Sequence, residues 1–394
     1  MRPHGLVPRL QPFTSTIFAE MTALAVRTGA VNLGQGFPDT DGPAGMLEVA
    51  RSAIAAGVNQ YPPGAGRPEL RNAVAEHRAA RYGLVHDPDT EVLVTVGATE
   101  GISAALLSVV DRGDEVLLIE PYYDSYAAAV ALAGGTRRSV ALVADGDRFA
   151  LDLDALAAAI TPATRVLLLN SPHNPTGTVF TRAELAGLAA LAVEHDLLVI
   201  TDEVYEHLVF DSAEHVPIAT LPGMATRTLS VSSAGKTFSV TGWKIGWVCG
   251  PTQLVAAVRA AKQYLTFVGG APFQPAVAHA LRAELGWVDK HRVALQDKEH
   301  RLTRGLRAAG FGVHRCEGTY FVCADIRPLG YSDGIEFCRD LPMRAGVVAV
   351  PVQVFVDDQP SWRHLVRFAF CKRDEVLDEA VARLTSARPY AQQD

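Results

Sequence analysis

Lys236 is the residue in this chain whose surroundings most favour covalent chemistry. It stands in Ser232-Ser233-Ala234-Gly235-Lys236-Thr237-Phe238, among small and apolar side chains, and a second lysine follows in Gly242-Trp243-Lys244-Ile245-Gly246-Trp247. Desolvation and a neighbouring cation both lower the pKa of an amine. A lysine made partly neutral can form an imine with an aldehyde. The ordinary alternative is a surface lysine that snorkels, and the flanking glycines and serines argue against the exposed helix it would need.

Three loops offer polar groups that could serve such an amine. Gly97-Ala98-Thr99-Glu100-Gly101 lies between an apolar run and a helical pattern. Small residues there let backbone N–H groups point at an anion, with a helix N-terminus behind them. A plain glycine turn capped by Thr99 reads equally well from this segment alone. Asn170-Ser171-Pro172-His173-Asn174-Pro175-Thr176-Gly177 has two prolines, each after a polar residue. That makes a rigid loop able to hold cis peptides, or a simple turn with Asx hydrogen bonds. In Thr201-Asp202-Glu203-Val204-Tyr205, an aspartate emerges from the apolar Leu197-Leu198-Val199-Ile200. Burying it costs free energy unless it meets a cation or an N–H donor, although it could also cap a helix. At a strand end, Asp202 and Tyr205 would converge on one ligand.

The elements that carry these loops appear as an alternation. Short apolar runs at Glu91–Val96, Glu115–Ile119, Arg138–Val143, Arg165–Leu169, Leu197–Thr201, Thr228–Val231 and Ile245–Cys249 are separated by helical patterns such as Ala183–His195. Runs this apolar suit strands covered on both faces, and the alternation predicts an α/β sheet with crossover helices. Ligands gather at the carboxyl ends of such strands. After Val255–Thr266 and the break Gly269-Gly270-Ala271-Pro272, one long helical region is expected from Gln274 to Ala309. Weaker strands are expected around Thr319–Asp325 and Leu365–Phe370. The predicted division is an N-terminal arm (1–40) with one helix, Ile17–Arg27, that joins the small domain, then a large domain (40–280) and a small α+β domain (281–394).

Composition narrows the function classes. The chain has 394 residues, 48% apolar and 20% charged, which suits a globular protein. A net charge of −7 without a long basic run argues against a nucleic-acid surface. The five cysteines, Cys249, Cys316, Cys323, Cys338 and Cys371, are irregularly spaced and fit buried, reduced thiols. Met1–Thr16 has no signal-like apolar stretch and no run suits a membrane span, so a cytoplasmic location is expected.

Taken in order, the segments resemble the class I/II aminotransferases of pyridoxal-5′-phosphate (PLP) fold type I, over nearly the whole chain. Asn32-Leu33-Gly34-Gln35-Gly36-Phe37-Pro38, Asn59-Gln60-Tyr61, Gly97-Ala98-Thr99, Asn174-Pro175-x-Gly177, Asp202-Glu203-x-Tyr205, Ser233-x-x-Lys236, Gly242-Trp243-Lys244 and Arg367 carry the resemblance. Glu120–Tyr126 and Ser233–Trp247 are most similar to the kynurenine/glutamine/methionine branch. Asn59–Gly64, Ser171–Pro175 and Phe370–Asp374 resemble the actinobacterial N-succinyldiaminopimelate aminotransferases more closely still. The implied fold is aspartate-aminotransferase-like α/β, with a mostly parallel seven-stranded sheet in the large domain and a smaller α+β domain.

The resemblance also implies roles. Lys236 would hold PLP as a Schiff base and shuttle the α-proton. Asp202 would pair with the pyridine nitrogen, while Tyr205 and Asn174 would hydrogen-bond the ring's phenolic oxygen. Tyr123 would stack on one ring face and Val204 on the other. Ala98, Thr99, Ser233 and Lys244 would hold the phosphate, joined by Tyr61 from a partner subunit, which requires a homodimer with shared sites. Arg367 would bind the substrate α-carboxylate, and Gly36 would let the substrate approach the backbone. Lys244 departs from the arginine of many relatives, so a point charge replaces a fork. Arg27, Arg259 and Arg327 are conceivable readers of a distal carboxylate. No metal is expected.

The function implied is amino transfer between an amino acid and a 2-oxo acid, with N-succinyl-diaminopimelate and glutamate as the pair. Broad kynurenine/glutamine/methionine-type specificity, or a C–S β-lyase or oxidase on the same scaffold, are the alternatives. A regulator's sensor domain would need a DNA-binding domain ahead of it, and only about forty residues precede this fold. A metal hydrolase would need clustered ligands, and His207 and His215 lack a convincing third partner in the sequence.

Overall fold

The computed structural model describes residue 5, residues 7–14 and residues 16–387. The readings of Met1–Thr16 and of the end of the 281–394 segment therefore fall partly outside the described residues. Seven strands form the main sheet: β1 (Val92–Val96), β2 (Glu115–Glu120), β3 (Thr136–Ala141), β4 (Thr164–Asn170), β5 (Leu198–Asp202), β6 (Thr228–Ser233) and β7 (Ile245–Cys249). Their order across the sheet is β1-β7-β6-β5-β4-β2-β3. All seven lie on the apolar runs expected from the sequence. β7 alone runs antiparallel to its neighbours.

The apolar character of the central strands follows from their coverage. Helix Gly97–Val109 and helix Asp124–Ala133 bury Leu106, Tyr126 and Val130 against Leu118, Leu168 and Ile200 on one face. Helix Arg182–Glu194 buries Leu185 and Leu188 against Leu167, Leu169 and Val199 on the other. The latter helix begins at a capping box, in which Thr181 and Glu184 each satisfy the other's backbone N–H.

Parallel pairing aligns the carboxyl ends, so that Asn170 of β4 lies opposite Asp202 of β5, and Asp202 opposite Val231 of β6. Because β7 is reversed, its first residue, Ile245, reaches the same edge and pairs with Val96 at the end of β1. The segment between β6 and β7, which carries Lys236 and Lys244, is thereby returned to the edge where the other loops gather.

A second sheet is antiparallel throughout, built from Gly312–Val313, Phe321–Asp325, Val350–Pro351 and Leu365–Ala369. The N-terminal segment packs beside it in a separate two-stranded sheet, in which Val31–Asn32 pairs in parallel with Val347–Val348. Helix Ile17–Thr28, closed by Gly29 in the left-handed conformation, buries Met21 and Ala25 in a core shared with Phe368 and Phe370. Tyr205 and Val204 belong to that same core, so the end of β5 is wedged against the second sheet.

One element differs from expectation. The helical region Gln274–Ala309 is two helices, Phe273–Ala283 and Leu285–Ala308, broken at Glu284. The first packs on helices Ala44–Ala55 and Pro68–Tyr82, with Val277 and Leu281 beside Met46 and Val74. The second turns its apolar face, with Leu302 and Leu306, to the second sheet. A single straight helix could not serve both cores. All five cysteines are buried and unpaired. Among the described residues no helix is long and apolar enough to cross a membrane.

Candidate active site

The ends of β4, β5 and β6 form the floor of a cavity of about 360 Å³. Asp202 closes β5 with only 6% of its surface exposed. Its Oδ2 accepts a 2.6 Å hydrogen bond from the Tyr126 hydroxyl, and its Oδ1 accepts from the Val204 N–H at 3.2 Å. Burial pushes the carboxyl up to about 6, and these donors limit the rise. Asn170 braces the neighbouring strand end: its Nδ2 donates to the Asp202 carbonyl at 2.9 Å and its Oδ1 accepts from the Asn174 N–H at 2.8 Å. The loop between them contains cis peptides at Ser171–Pro172 and Asn174–Pro175.

Lys236 follows β6 in a one-turn helix and is half-buried. Its Nζ donates to the Tyr320 hydroxyl at 2.7 Å, and that hydroxyl donates to the Gly36 carbonyl at 2.6 Å. Burial lowers the amine to about 8, nearby Asp202 opposes the fall, and Arg367 and Lys244 add to it. The direction is the one the sequence led us to expect. Tyr205 is buried with its ring edge-on to Tyr320, centroids 5.2 Å apart. Burial raises both phenols above their usual range.

At the other end of the cavity, helix Gly97–Val109 presents its N-terminus. Gly97 has φ 73°, and a Cβ on it would stand 3.0 Å from Lys244 Nζ. Lys244 itself is left-handed, with φ 53°. A Cβ on Gly246 would meet the Gly97 carbonyl carbon at 2.6 Å. The glycines thus keep a small cradle between helix N-terminus, ammonium and the buried Ser233, where first-turn N–H groups favour an anion.

The wall comes from the second sheet. Arg367 sits mid-strand opposite Cys323, and only 2% of its surface is exposed. One guanidinium nitrogen donates to Asn174 Oδ1 at 2.9 Å and another to the Gly34 carbonyl at 3.1 Å, while Nε has no partner. The fork lies over the Phe321 ring, its Cζ 3.9 Å from the centroid. A Cβ on Gly36 would stand 2.4 Å from that same ring. Gly36 is therefore required by ring packing as well as by access to the cavity.

Of the residues singled out in the sequence, Gly36, Ala98, Thr99, Tyr123, Asn174, Asp202, Val204, Tyr205, Ser233, Lys236, Lys244 and Arg367 all line this one cavity. Tyr61 does not. It is 83% exposed, edge-on to Phe267 with centroids 5.6 Å apart. Arg27, Arg259 and Arg327 do not line the cavity either, and Arg327 is ion-paired with Asp325 at 2.5 Å. Among the residues that escaped the sequence reading are Tyr126, Tyr320, Phe321 and Phe18, whose ring is 5.4 Å from the Arg367 guanidinium. Tyr126 could have been found, since it lies one helical turn from Tyr123. Nothing local distinguishes Tyr320 or Phe18.

His207 and His215, expected to lack a third ligand partner as a pair, are both buried and fall in two separate clusters: His207 with His77 and Glu206, and His215 with Glu203 and Glu206. The sequence could not show the first cluster because His77 comes from a distant segment.

Comparison with known proteins gives a consistent picture. Residues 28–384 match the family described as Aminotransferase class I and II. The chain is 60% identical over 387 residues to a probable N-succinyldiaminopimelate aminotransferase of Mycobacterium tuberculosis, covering 96% of this chain and 98% of that protein. The solved structure of the Mycobacterium tuberculosis N-succinyldiaminopimelate aminotransferase superposes with a TM-score of 0.96, over 97% of this chain and 100% of that one. The methionine aminotransferase of Escherichia coli is 40% identical over 98% of this chain and 99% of its own length. Mouse kynurenine–oxoglutarate transaminase 3 is 37% identical over 94% and 88%.

Proposed function

The chain belongs to the class I and II aminotransferases, a PLP-dependent family with this α/β fold, and we propose that it exchanges the amino group between N-succinyl-diaminopimelate and glutamate. The observation that carries the reading of the site is the meeting of Lys236, Asp202 and Arg367, from three separate segments, around one cavity. The residues present fit PLP. The glycine-lined cradle beside Lys244 suits a phosphate, the buried Asp202 suits a protonated ring nitrogen, and Lys236 is an amine of depressed pKa.

In this reading Lys236 would hold the cofactor covalently. Ala98, Thr99, Ser233 and Lys244 would take its phosphate, Asp202 its ring nitrogen, and Asn174 and Tyr205 its phenolic oxygen, with Tyr123 and Val204 on the ring faces. Once bound, the cofactor supplies an electron sink for the charge left at the amino acid's α-carbon. Arg367 binds the substrate α-carboxylate through its planar fork, and Phe321 beneath it fixes the plane of approach. Holding the carboxylate there aims the α-C–H bond toward Lys236 Nζ, an orientation effect. Lys236 Nζ, freed when the substrate's amino group takes its place on the cofactor, would accept the α-proton and hold it for return, and a site that lowers this amine to about 8 leaves a useful neutral fraction for that task. Tyr126, through its hydrogen bond, keeps Asp202 ionised toward the ring.

The same reading makes the arm (1–40) and residues 281–394 a small domain over a large one (40–280), and the enzyme a homodimer. Exposed Tyr61, Tyr264, Leu265 and Phe267 form an apolar patch suited to a second copy, which would bring Tyr61 to the partner's phosphate site. A second substrate class, methionine or kynurenine, is favoured by the apolar lining from Phe18, Phe37 and Ile102.

The test is the visible spectrum of PLP-loaded protein. Glutamate should bleach the yellow band and 2-oxoglutarate restore it, with N-succinyl-diaminopimelate showing the highest kcat/KM against methionine and kynurenine. Higher values for the latter two would move the assignment to them. Release of pyruvate and ammonia, or oxygen uptake, would move it to a lyase or oxidase.

A further inference from the structure

Behind the turn that carries Asp202 and Tyr205 lies a second cluster of polar side chains, closed to solvent. His77 projects from helix Pro68–Tyr82, while Glu206 and His207 project from the turn after β5. Their exposures are 6%, 1% and 3%. One donor atom from each lies within 4.8 Å of the others. His77 Nε2 and Glu206 Oε2 have no hydrogen-bond partner, and the other Glu206 oxygen accepts from the Ser232 hydroxyl at 2.6 Å.

Arg78 pairs with Glu203 at 3.0 Å, with both side chains 1% exposed. Glu206 has no salt bridge of its own among the described residues, and a buried carboxylate oxygen such as its Oε2, left without a hydrogen bond, is costly. Two imidazoles and one carboxylate form a donor set suited to zinc and its first-row neighbours. Donors around a tetrahedral zinc stand roughly 3.3 Å apart, from bond lengths of about 2.0–2.1 Å. The present spacing of up to 4.8 Å is wider, so the donors would have to draw in by up to about 1.5 Å on binding. His215 lies within 4.8 Å of Glu206 as well, but its Nε2 stands 3.9 Å from Glu203, and water or a small ligand would complete the coordination.

We propose that His77, Glu206 and His207 form a binding site for a divalent transition-metal ion. The ion ties helix Pro68–Tyr82 to the turn that holds Asp202 and Tyr205. It takes no part in amino transfer and acts by fixing that turn. A site centred on Glu203 instead would have to displace the Arg78 guanidinium, which is why the ion belongs on the His77 side.

The experiment uses untagged, full-length, PLP-loaded protein, with zinc and cobalt(II) as probes. Metal content after desalting should be one zinc per chain. Stripping with EDTA should lower the thermal midpoint, and zinc should restore it. Cobalt(II) added to the stripped wild-type protein should give the intense visible bands of a four-coordinate site, a readout that needs no variant to fold. His77→Gln and Glu206→Gln should each weaken zinc by more than the roughly tenfold loss that removing an outer-shell partner causes. Zinc that washes out on desalting, a thermal midpoint indifferent to chelation, a weak six-coordinate cobalt spectrum, or equal retention by Glu206→Gln would each overturn the proposal. None of these outcomes depends on which amino acid the enzyme uses.

Discussion

Residues 202–207 form a single turn whose side chains divide between two enclosed environments. Asp202, Val204 and Tyr205 face the cavity, whereas Glu203, Glu206 and His207 face the cluster behind it. On the cavity side three charged groups each have a defined partner, Tyr126 on Asp202, Tyr320 on Lys236 and Asn174 on Arg367, and among their buried atoms only Arg367 Nε is left open. On the far side Arg78 and Glu203 form one ion pair through a single guanidinium nitrogen, and Arg78, Glu206, His77 and His215 all retain atoms without a hydrogen-bond partner. The difference teaches that burial alone does not mark the reactive side. Both faces are equally dry, but only one opens onto a space that a substrate could enter.

The contrast can be broken by substitution on either face. The largest effect is expected from Lys236→Ala. Turnover should fall by about 10⁴-fold or more, the upper range for losing a positioned acid–base group, while the protein stays folded. The half-reaction spectrum measures the first, and circular dichroism the second. Borohydride trapping of PLP on a different lysine would remove Lys236 from its role.

Glu203→Gln, one residue from Asp202, should act on stability instead. It leaves the Arg78 guanidinium buried without a counter-ion, a loss of about 3–5 kcal/mol. Denaturant unfolding should show this, with turnover per folded molecule little changed. A large loss of turnover with intact stability would mean that the two faces are coupled more tightly than their contacts indicate.

The smallest effect is expected from Tyr126→Phe, and it should depend on pH. Asp202 is raised from its ordinary value to about 6 in the folded chain, so its contribution to stability is full below about 3.8 and is lost as pH rises through about 6. Tyr126 favours the ionised form, so removing its hydroxyl raises that pKa further. The destabilisation of cofactor-free Tyr126→Phe should be slight near pH 4 and grow to about 2 kcal/mol above pH 6, the scale of a hydrogen bond to a charged group. Urea unfolding of both proteins across that range measures it. A difference that shrinks with rising pH would contradict the assignment.

Much of the site was legible because its residues cluster at the ends of strands. Asp202 was conspicuous as an acid leaving an apolar run, and Lys236 as an amine among small residues. In both cases the expected burial and its direction of pKa shift appear in the structure. Tyr320 was not legible, because it sits between Thr319 and Phe321 with nothing local to separate a core tyrosine from one that holds the lysine amine. The contact of His207 with His77 was not legible either, since 130 residues separate them and the two rings meet only across a helix and a turn, centroids 5.0 Å apart.

The division follows from the range of the interactions. Period, turn chemistry and local polarity act over a few residues, and from them the chain by itself determined its seven strands, the loops at their ends and the lysine and aspartate that those loops carry. Which side chain meets which across the cavity was decided only by packing the second sheet against the first. That packing set the Tyr320 hydroxyl against Lys236, 84 residues away, and brought Asn174 to Arg367, 193 residues away. No local rule of sequence reaches that far.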